Sequence, residues 1–299
     1  MRRILQFSAA CLAAGALSAC NNPEQVKTNP DLPTAGIRFI NAVPDTGGSN
    51  GLDFRFIDIV ENSAAYGISF RNNLVVSGAG AAAIPASTQI EYKAAAVGSR
   101  HFRIFLDDTL AAVATTVLKD SSLTLEANHR YTVLFWGNAR GGATPMKMTV
   151  LDETYDPGTQ IGIRVINTTS SAVDVRQYSS TGTLPTSPTF SNVAAMSVSS
   201  YVNVAPDTMR FNVQPAGGGT ALFADVRALV GTKIGTVANG CTVGLDCDAA
   251  PGSVAAGSAI TLIVFPRSVA ASKAPQSSAF QIPAASFMWD KRPPRNPGT

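Results

Sequence analysis

The hexapeptide Gly36-Ile37-Arg38-Phe39-Ile40-Asn41 returns as Gly162-Ile163-Arg164-Val165-Ile166-Asn167, with Phe39 against Val165 as the single difference. Three further segments follow in the same order. Leu52-Asp53-Phe54-Arg55 matches Val173-Asp174-Val175-Arg176, His101-Phe102-Arg103-Ile104 is matched more loosely by Arg210-Phe211-Asn212-Val213, and the apolar run 127–135 is matched by 256–264. Four matched segments in fixed order confine the chain to two copies of one unit, each burying the same faces. Inside each copy, apolar residues alternate with polar or charged ones at period two, as in Leu52-Asp53-Phe54-Arg55-Phe56 and Met146-Lys147-Met148-Thr149-Val150. That period sends successive side chains to opposite faces of a strand. Short strands punctuated by Gly, Pro, Asn and Asp predict an all-β fold built from β-sandwiches. The copies are expected over residues 36–155 and 160–268, joined by the turn-rich Tyr155-Asp156-Pro157-Gly158. Asp53 and Asp174 recur at matching places and are expected to pair with Arg38 or Arg164 across strands.

The N-terminus belongs to a different problem. Arg2 and Arg3 precede the short apolar stretch Ile4 to Ala16, and Leu17-Ser18-Ala19-Cys20 closes it with small residues before a cysteine. This ending resembles a bacterial lipobox, which implies a lipoprotein signal peptide at 1–19 and lipidation of Cys20. Residues 20–35, with Pro23, Pro30 and Pro33, then read as a lipidated cysteine and an extended tether. Plain secretion is the alternative. Asn21, where an aspartate would favour inner-membrane retention, places the expected site at the outer membrane. Removing the signal leaves 21 basic against 20 acidic residues, a balance with no footprint for nucleic acid. It also removes Cys11, so Cys241 and Cys247 are the remaining pair and are expected to form a local disulfide in an exported protein.

No residue pattern specifies a reaction. The chain has two histidines. His101 lies in an alternating strand between Arg100 and Arg103, His129 lies in a turn, and neither accompanies a Gly-x-Ser-x-Gly nucleophile motif. The acidic groups Asp107-Asp108, Asp152-Glu153 with Asp156, and Asp246 with Asp248 lack the spacing of a calcium loop and read as turn caps. No metal site or cofactor is expected. Trp136, beside Gly137 and Asn138, is a candidate strand-end contact for a ligand, while Phe54, Phe56, Phe102, Phe105 and Phe135 read as core.

The opening Ile-Arg-Phe-Ile-Asn-Ala-Val-Pro-Asp, then Leu-Asp-Phe, then Leu-Glu-Ala-x-x-x-Tyr-Thr-Val, resembles the bacterial envelope family catalogued as domain of unknown function 4397. The resemblance is good over Gly36 to Trp136 and weaker over Gly162 to Phe265, where Thr168-Thr169-Ser170 stands against Ala42-Val43-Pro44. It implies two tandem immunoglobulin-like β-sandwich domains on a secreted or lipid-anchored protein, and it carries no assigned chemistry. Residues 269–299 are a C-terminal tail or a terminal strand packing Phe287 and Trp289. The expected role is a non-catalytic binding, adhesion or structural module, reaching the membrane through its lipid and meeting a protein or glycan partner. The alternative is a carbohydrate-active or other hydrolase whose residues assemble from distant loops.

Overall fold

Alternation decides the architecture, because nearly every strand has two distinct faces and both must be accounted for. The computed structural model describes residues 33–45, 52–58, 92–106, 112, 115–138, 144–233, 249–271 and 283–294. The first seven strands are β1 (Thr34–Ala42), β2 (Leu52–Phe56), β3 (Lys93–Ala96), β4 (Gly98–Leu106), β5 (Val117–Leu125), β6 (Arg130–Trp136) and β7 (Lys147–Asp152). The next nine are β8 (Ile161–Asn167), β9 (Val173–Ser179), β10 (Phe190–Val193), β11 (Ser197–Val198), β12 (Val202–Val204), β13 (Met209–Pro215), β14 (Phe223–Arg227), β15 (Ala259–Phe265) and β16 (Ala284–Lys291). The fold is all-β and of sandwich type.

Strands β3-β1-β6-β7 form one sheet and β2-β4-β5 another. Ile37, Phe39, Tyr131, Val133 and Phe135 on the first meet Leu52, Phe54, Phe102 and Ile104 on the second to make a closed core. Its centre is an aromatic column, with Phe54 stacked between Phe39 at 5.2 Å and Phe102 at 4.7 Å between ring centroids. Each such ring contributes about 1.5–3 kcal/mol by leaving water. The second sandwich repeats the plan: β8, flanked by β11 and β12 on one side and by β15-β16 on the other, packs on β10-β9-β13-β14. Its core joins Ile163, Val165, Leu262 and Val264 to Val173, Val175, Phe211 and Val213.

The registers correspond residue by residue. Ile37 pairs with Lys93 and Ile163 with Val202; Arg38 pairs with Thr132 and Arg164 with Thr261. The pairs β1·β6 and β8·β15 are both parallel, a detail that alternation alone does not reveal. The same turn closes β1 and β8, since Asn41 Oδ1 accepts the Val43 N–H at 2.9 Å and Asn167 Oδ1 accepts the Thr169 N–H at 3.0 Å. The change from Ala-Val-Pro to Thr-Thr-Ser therefore leaves this asparagine turn in place. The C-terminal segment is a full strand, β16, antiparallel to β15 and placing Trp289 in the second core.

The remaining faces of the two central sheets meet each other. Ile40, Ala42, Leu134 and Trp136 from the first sandwich pack on Ile166, Ile263, Phe265, Ala284 and Met288 from the second. From Thr34 onward the described residues form one compact unit, and this shared face is why. Trp136 lies inside it at 2% exposure, so it is not the strand-end ligand contact that its neighbours Gly137 and Asn138 suggest. The indole instead fills the gap between sheets, where a tryptophan contributes most by burial.

Candidate functional site

Among the described residues, the densest group of buried charges lies on that shared face. Arg38 sits between Ile37 and Phe39 in β1, and because both neighbours point into the first core, strand geometry sends its side chain the other way. Arg164 is placed identically between Ile163 and Val165. Both guanidinium groups are buried, together with Thr132, Thr261, Glu153 and Asp290. Glu153 follows β7 and Asp290 lies near the end of β16, at matching distances from the Tyr131–Asp152 and Ile260–Trp289 register pairs.

Each arginine is served by its own sandwich through Nε and by the opposite one through Nη2. Arg38 Nε donates to Thr132 Oγ1 at 2.8 Å, Nη1 to the Trp289 carbonyl at 2.6 Å, and Nη2 to Asp290 Oδ1 at 2.5 Å. Arg164 Nε donates to Thr261 Oγ1 at 2.7 Å and Nη2 to Glu153 Oε1 at 2.5 Å, with Asp290 Oδ1 3.3 Å away. The threonines pass the chain on: Thr132 donates to Glu153 Oε1 at 2.7 Å and Thr261 to Asp290 Oδ2 at 2.5 Å. A tyrosine ring covers each guanidinium, Tyr92 at 4.4 Å from Arg38 and Tyr201 at 4.8 Å from Arg164. Tyr201 also donates to Asp290 Oδ2 at 2.9 Å.

Two cations and two anions make the cluster neutral, which is the condition for charges to survive burial. Burial pulls the Arg38 guanidinium down, but the charges of Asp290 and Glu153 and the hydrogen bond to Asp290 hold its pKa above the ordinary value. For Arg164 burial again opposes, and Asp290 and Glu153 prevail in the same direction. Burial pushes Glu153 up, the Asp290 charge adds to this, and the two arginines pull against it. Burial likewise raises the hydroxyls of Tyr92 and Tyr201, keeping them as neutral donors. With hydroxyls and guanidinium groups occupying the carboxylate oxygens, this arrangement joins the two sheets.

Several expectations change here. Glu153 is not a turn cap but a buried partner of Arg164, because the strand direction of β7 carries it onto the shared face. Asp174 does not pair with Arg164; it lies on the outer face of β9, where Oδ1 accepts the Asn192 N–H at 2.7 Å and Oδ2 the Gly217 N–H at 3.0 Å. Asp156 does cap a turn, accepting the Gly158 N–H at 2.9 Å. The histidines are peripheral: His101 contacts Asp120, and His129 Nδ1 lies 2.9 Å from Asp152 Oδ2, a hydrogen bond that raises its pKa. Cys20, Cys241, Cys247, Asp107, Asp108, Asp246 and Asp248 lie outside the described residues. Among the described residues no three His, Cys, Asp or Glu side chains group as metal ligands.

Beyond the apolar end of the shared face, where the four central strands terminate, a cleft of about 490 Å³ opens between the two sandwiches. Pro44, Asn138, Thr144, Thr168, Met196 and Arg267 are among its walls, and among the described residues no carboxylate lines it. Its rim is tied across the sandwiches by the Val269 N–H donating to the Pro44 carbonyl at 3.0 Å.

The family model described as Domain of unknown function (DUF4397) matches residues 35–178. The matched segment runs past the first sandwich through β8 and most of β9, and it contains Arg38, Tyr92, Thr132, Glu153 and Arg164. No curated protein matches the chain.

Proposed function

We propose that this chain is a non-catalytic binding module of the cell envelope, made of tandem copies of one sandwich unit and anchored by lipid on Cys20. The observation that carries the non-catalytic reading is the fate of the converging acids. A glycosidase needs two carboxylates flanking an accessible bond. Glu153 and Asp290 are buried acids that share Arg38 and Arg164, and both are engaged by arginines, threonines and Tyr201 away from solvent. The matched registers of β1, β6, β7 with β8, β15, β16 support the tandem reading, and the signal-like segment before Cys20 supports the anchor. A disulfide between Cys241 and Cys247 fits the same exported setting.

Intact-mass measurement of the protein from its native membranes, before and after reduction, tests the location. A chain beginning at Cys20 with added acyl mass and a two-proton gain on reduction is expected. An unacylated mature chain contradicts the anchor. Incubation with chromogenic glycosides and esters tests the absence of catalysis, and turnover above the buffer rate would overturn that part.

A further inference from the structure

The cleft beyond the shared face is built from matched strand ends of the two copies. Pro44 and Ser170 each lie three residues after the asparagine that closes β1 or β8, and Gly137-Asn138 and Pro266-Arg267 directly follow the matched strands β6 and β15. The two copies supply different chemistry there, since Asn138 stands in the first where Arg267 stands in the second. The opening of about 490 Å³ falls within the roughly 300–1,000 Å³ of small-molecule sites, which favour boundaries between domains.

Its walls are held in one shape. Lys147 Nζ, from β7, donates to the Met196 carbonyl at 3.3 Å, and the Met196 N–H donates to the Thr169 carbonyl at 3.3 Å. Both bonds grip a residue whose φ of 52° is left-handed, a conformation that non-glycine residues rarely adopt. Ala271, next to the wall residue Ala270, has a φ of 58°. The other two non-glycine residues with positive φ among those described are asparagines, which tolerate it. Strain of this kind gathers where a chain must present a site in a fixed geometry.

Among the described residues lining the cleft, Arg267 is the only charged one. It is exposed, and no described residue gives it an ion pair or a hydrogen bond. Asp45, beside Pro44, is buried and already engaged. Segments 46–51, 139–143 and 272–282, which adjoin the walls in sequence, contain no Asp or Glu. Pro44, Met196 and Pro266 make the cleft apolar beside this cation, and Val269 on the same wall stays 44% exposed.

We infer that the cleft binds an apolar monocarboxylate, with the carboxylate on Arg267 and the apolar body against Pro44, Met196, Pro266 and Val269. A guanidinium fork matches the two oxygens of a carboxylate, and a single cation balances a single charge. The apolar walls gain by covering a hydrocarbon body, which an inorganic anion lacks. A peptide C-terminus ending in an aliphatic residue and a free organic acid both carry this chemistry. The inference rests on the binding-module reading and gives it a ligand class.

Titration calorimetry of the mature chain with N-acetyl-leucine, N-acetyl-leucinamide and sodium acetate tests it. Wild type is expected to bind N-acetyl-leucine roughly tenfold or more tightly than either control. R267Q is expected to lose that preference by a similar factor with its melting temperature kept. M196G suits the left-handed backbone while removing an apolar wall, so it should keep the fold and bring N-acetyl-leucine down towards acetate. Tighter binding of an acetylated tripeptide ending in leucine would assign a peptide C-terminus as the source, and equal or weaker binding would assign a free acid. Absence of N-acetyl-leucine binding by wild type, or unchanged binding by R267Q, overturns the assignment. Equal binding of the acid and its amide would reject the carboxylate while the binding-module reading stands, whereas turnover of the chromogenic glycosides or esters would reject that reading itself.

Discussion

The shared face and the outer face of β9 and β13 both place arginines at alternate positions of a strand, yet they complete them differently. On the shared face Arg38 and Arg164 each find a threonine, a carboxylate from the opposite sandwich and a tyrosine ring. On the outer face Arg176 and Arg210 each keep a buried N–H without a partner. The first arrangement is a finished joint, and altering it should cost stability. The second leaves two N–H groups unmatched within the chain, and altering it should cost far less stability.

The largest effect tests the finished half. R38M or D290L alone should destabilise the protein by about 3–5 kcal/mol, because removing one member of a buried pair strands the other charge. Urea denaturation would read this as a lowered midpoint. A cost near that of a surface change would mean that the pair is solvated.

Gly36 and Gly162 sharpen the comparison between the sandwiches. A Cβ on Gly162 would lie 2.5 Å from the Tyr155 ring, which stacks on Tyr201 at 4.0 Å, whereas one on Gly36 would meet Tyr92 Cβ at 3.2 Å. G162A should therefore cost about 1–3 kcal/mol as an overpacking change, and G36A less. Equal losses would show that the tyrosine stack yields freely.

On the unfinished face, R176Q should change stability by no more than about 1 kcal/mol in either direction, since it trades the Nε bond to the Thr186 carbonyl against the loss of an unpaired buried donor. A loss comparable with R38M would show that Arg176 is part of the joint after all.

The smallest effect concerns pH. The His101 and Arg103 hydrogen bonds to Asp120 hold its carboxyl below the ordinary value of 3.8. Its contribution to stability is present above that value and is lost as pH falls through the lowered one. D120N should flatten the acid limb of a stability–pH curve slightly and leave stability near neutrality almost unchanged.

How much of this could be read from the chain follows from what alternation encodes. The pattern around Ile37-Arg38-Phe39 told which residues enter a core, and the recurrence at Ile163-Arg164-Val165 told that it happens twice. It did not tell what lies on the reverse face, because Ile40, Ile166 and Ile263 look like ordinary strand residues until a second sheet covers them. A buried arginine at the same position of both copies was the available signal for that second covering, since a lone guanidinium facing water needs no partner at a fixed place. Glu153 was hidden for another reason: it follows a strand and precedes a turn, where an acid usually caps. Asp290 was hidden because its partners, Arg38 and Thr261, come from β1 and β15 in different sheets, and only the packing of the two central sheets brings them together.

The most direct test of the account is a double-mutant cycle across the two sandwiches, comparing R38M, D290L and the combined variant by urea denaturation. The combined variant is predicted to lose far less than the two single losses together, giving a coupling of about 1.5–3 kcal/mol. A coupling below about 0.5 kcal/mol would mean that Arg38 and Asp290 act independently and that the charge cluster does not hold the two sandwiches together.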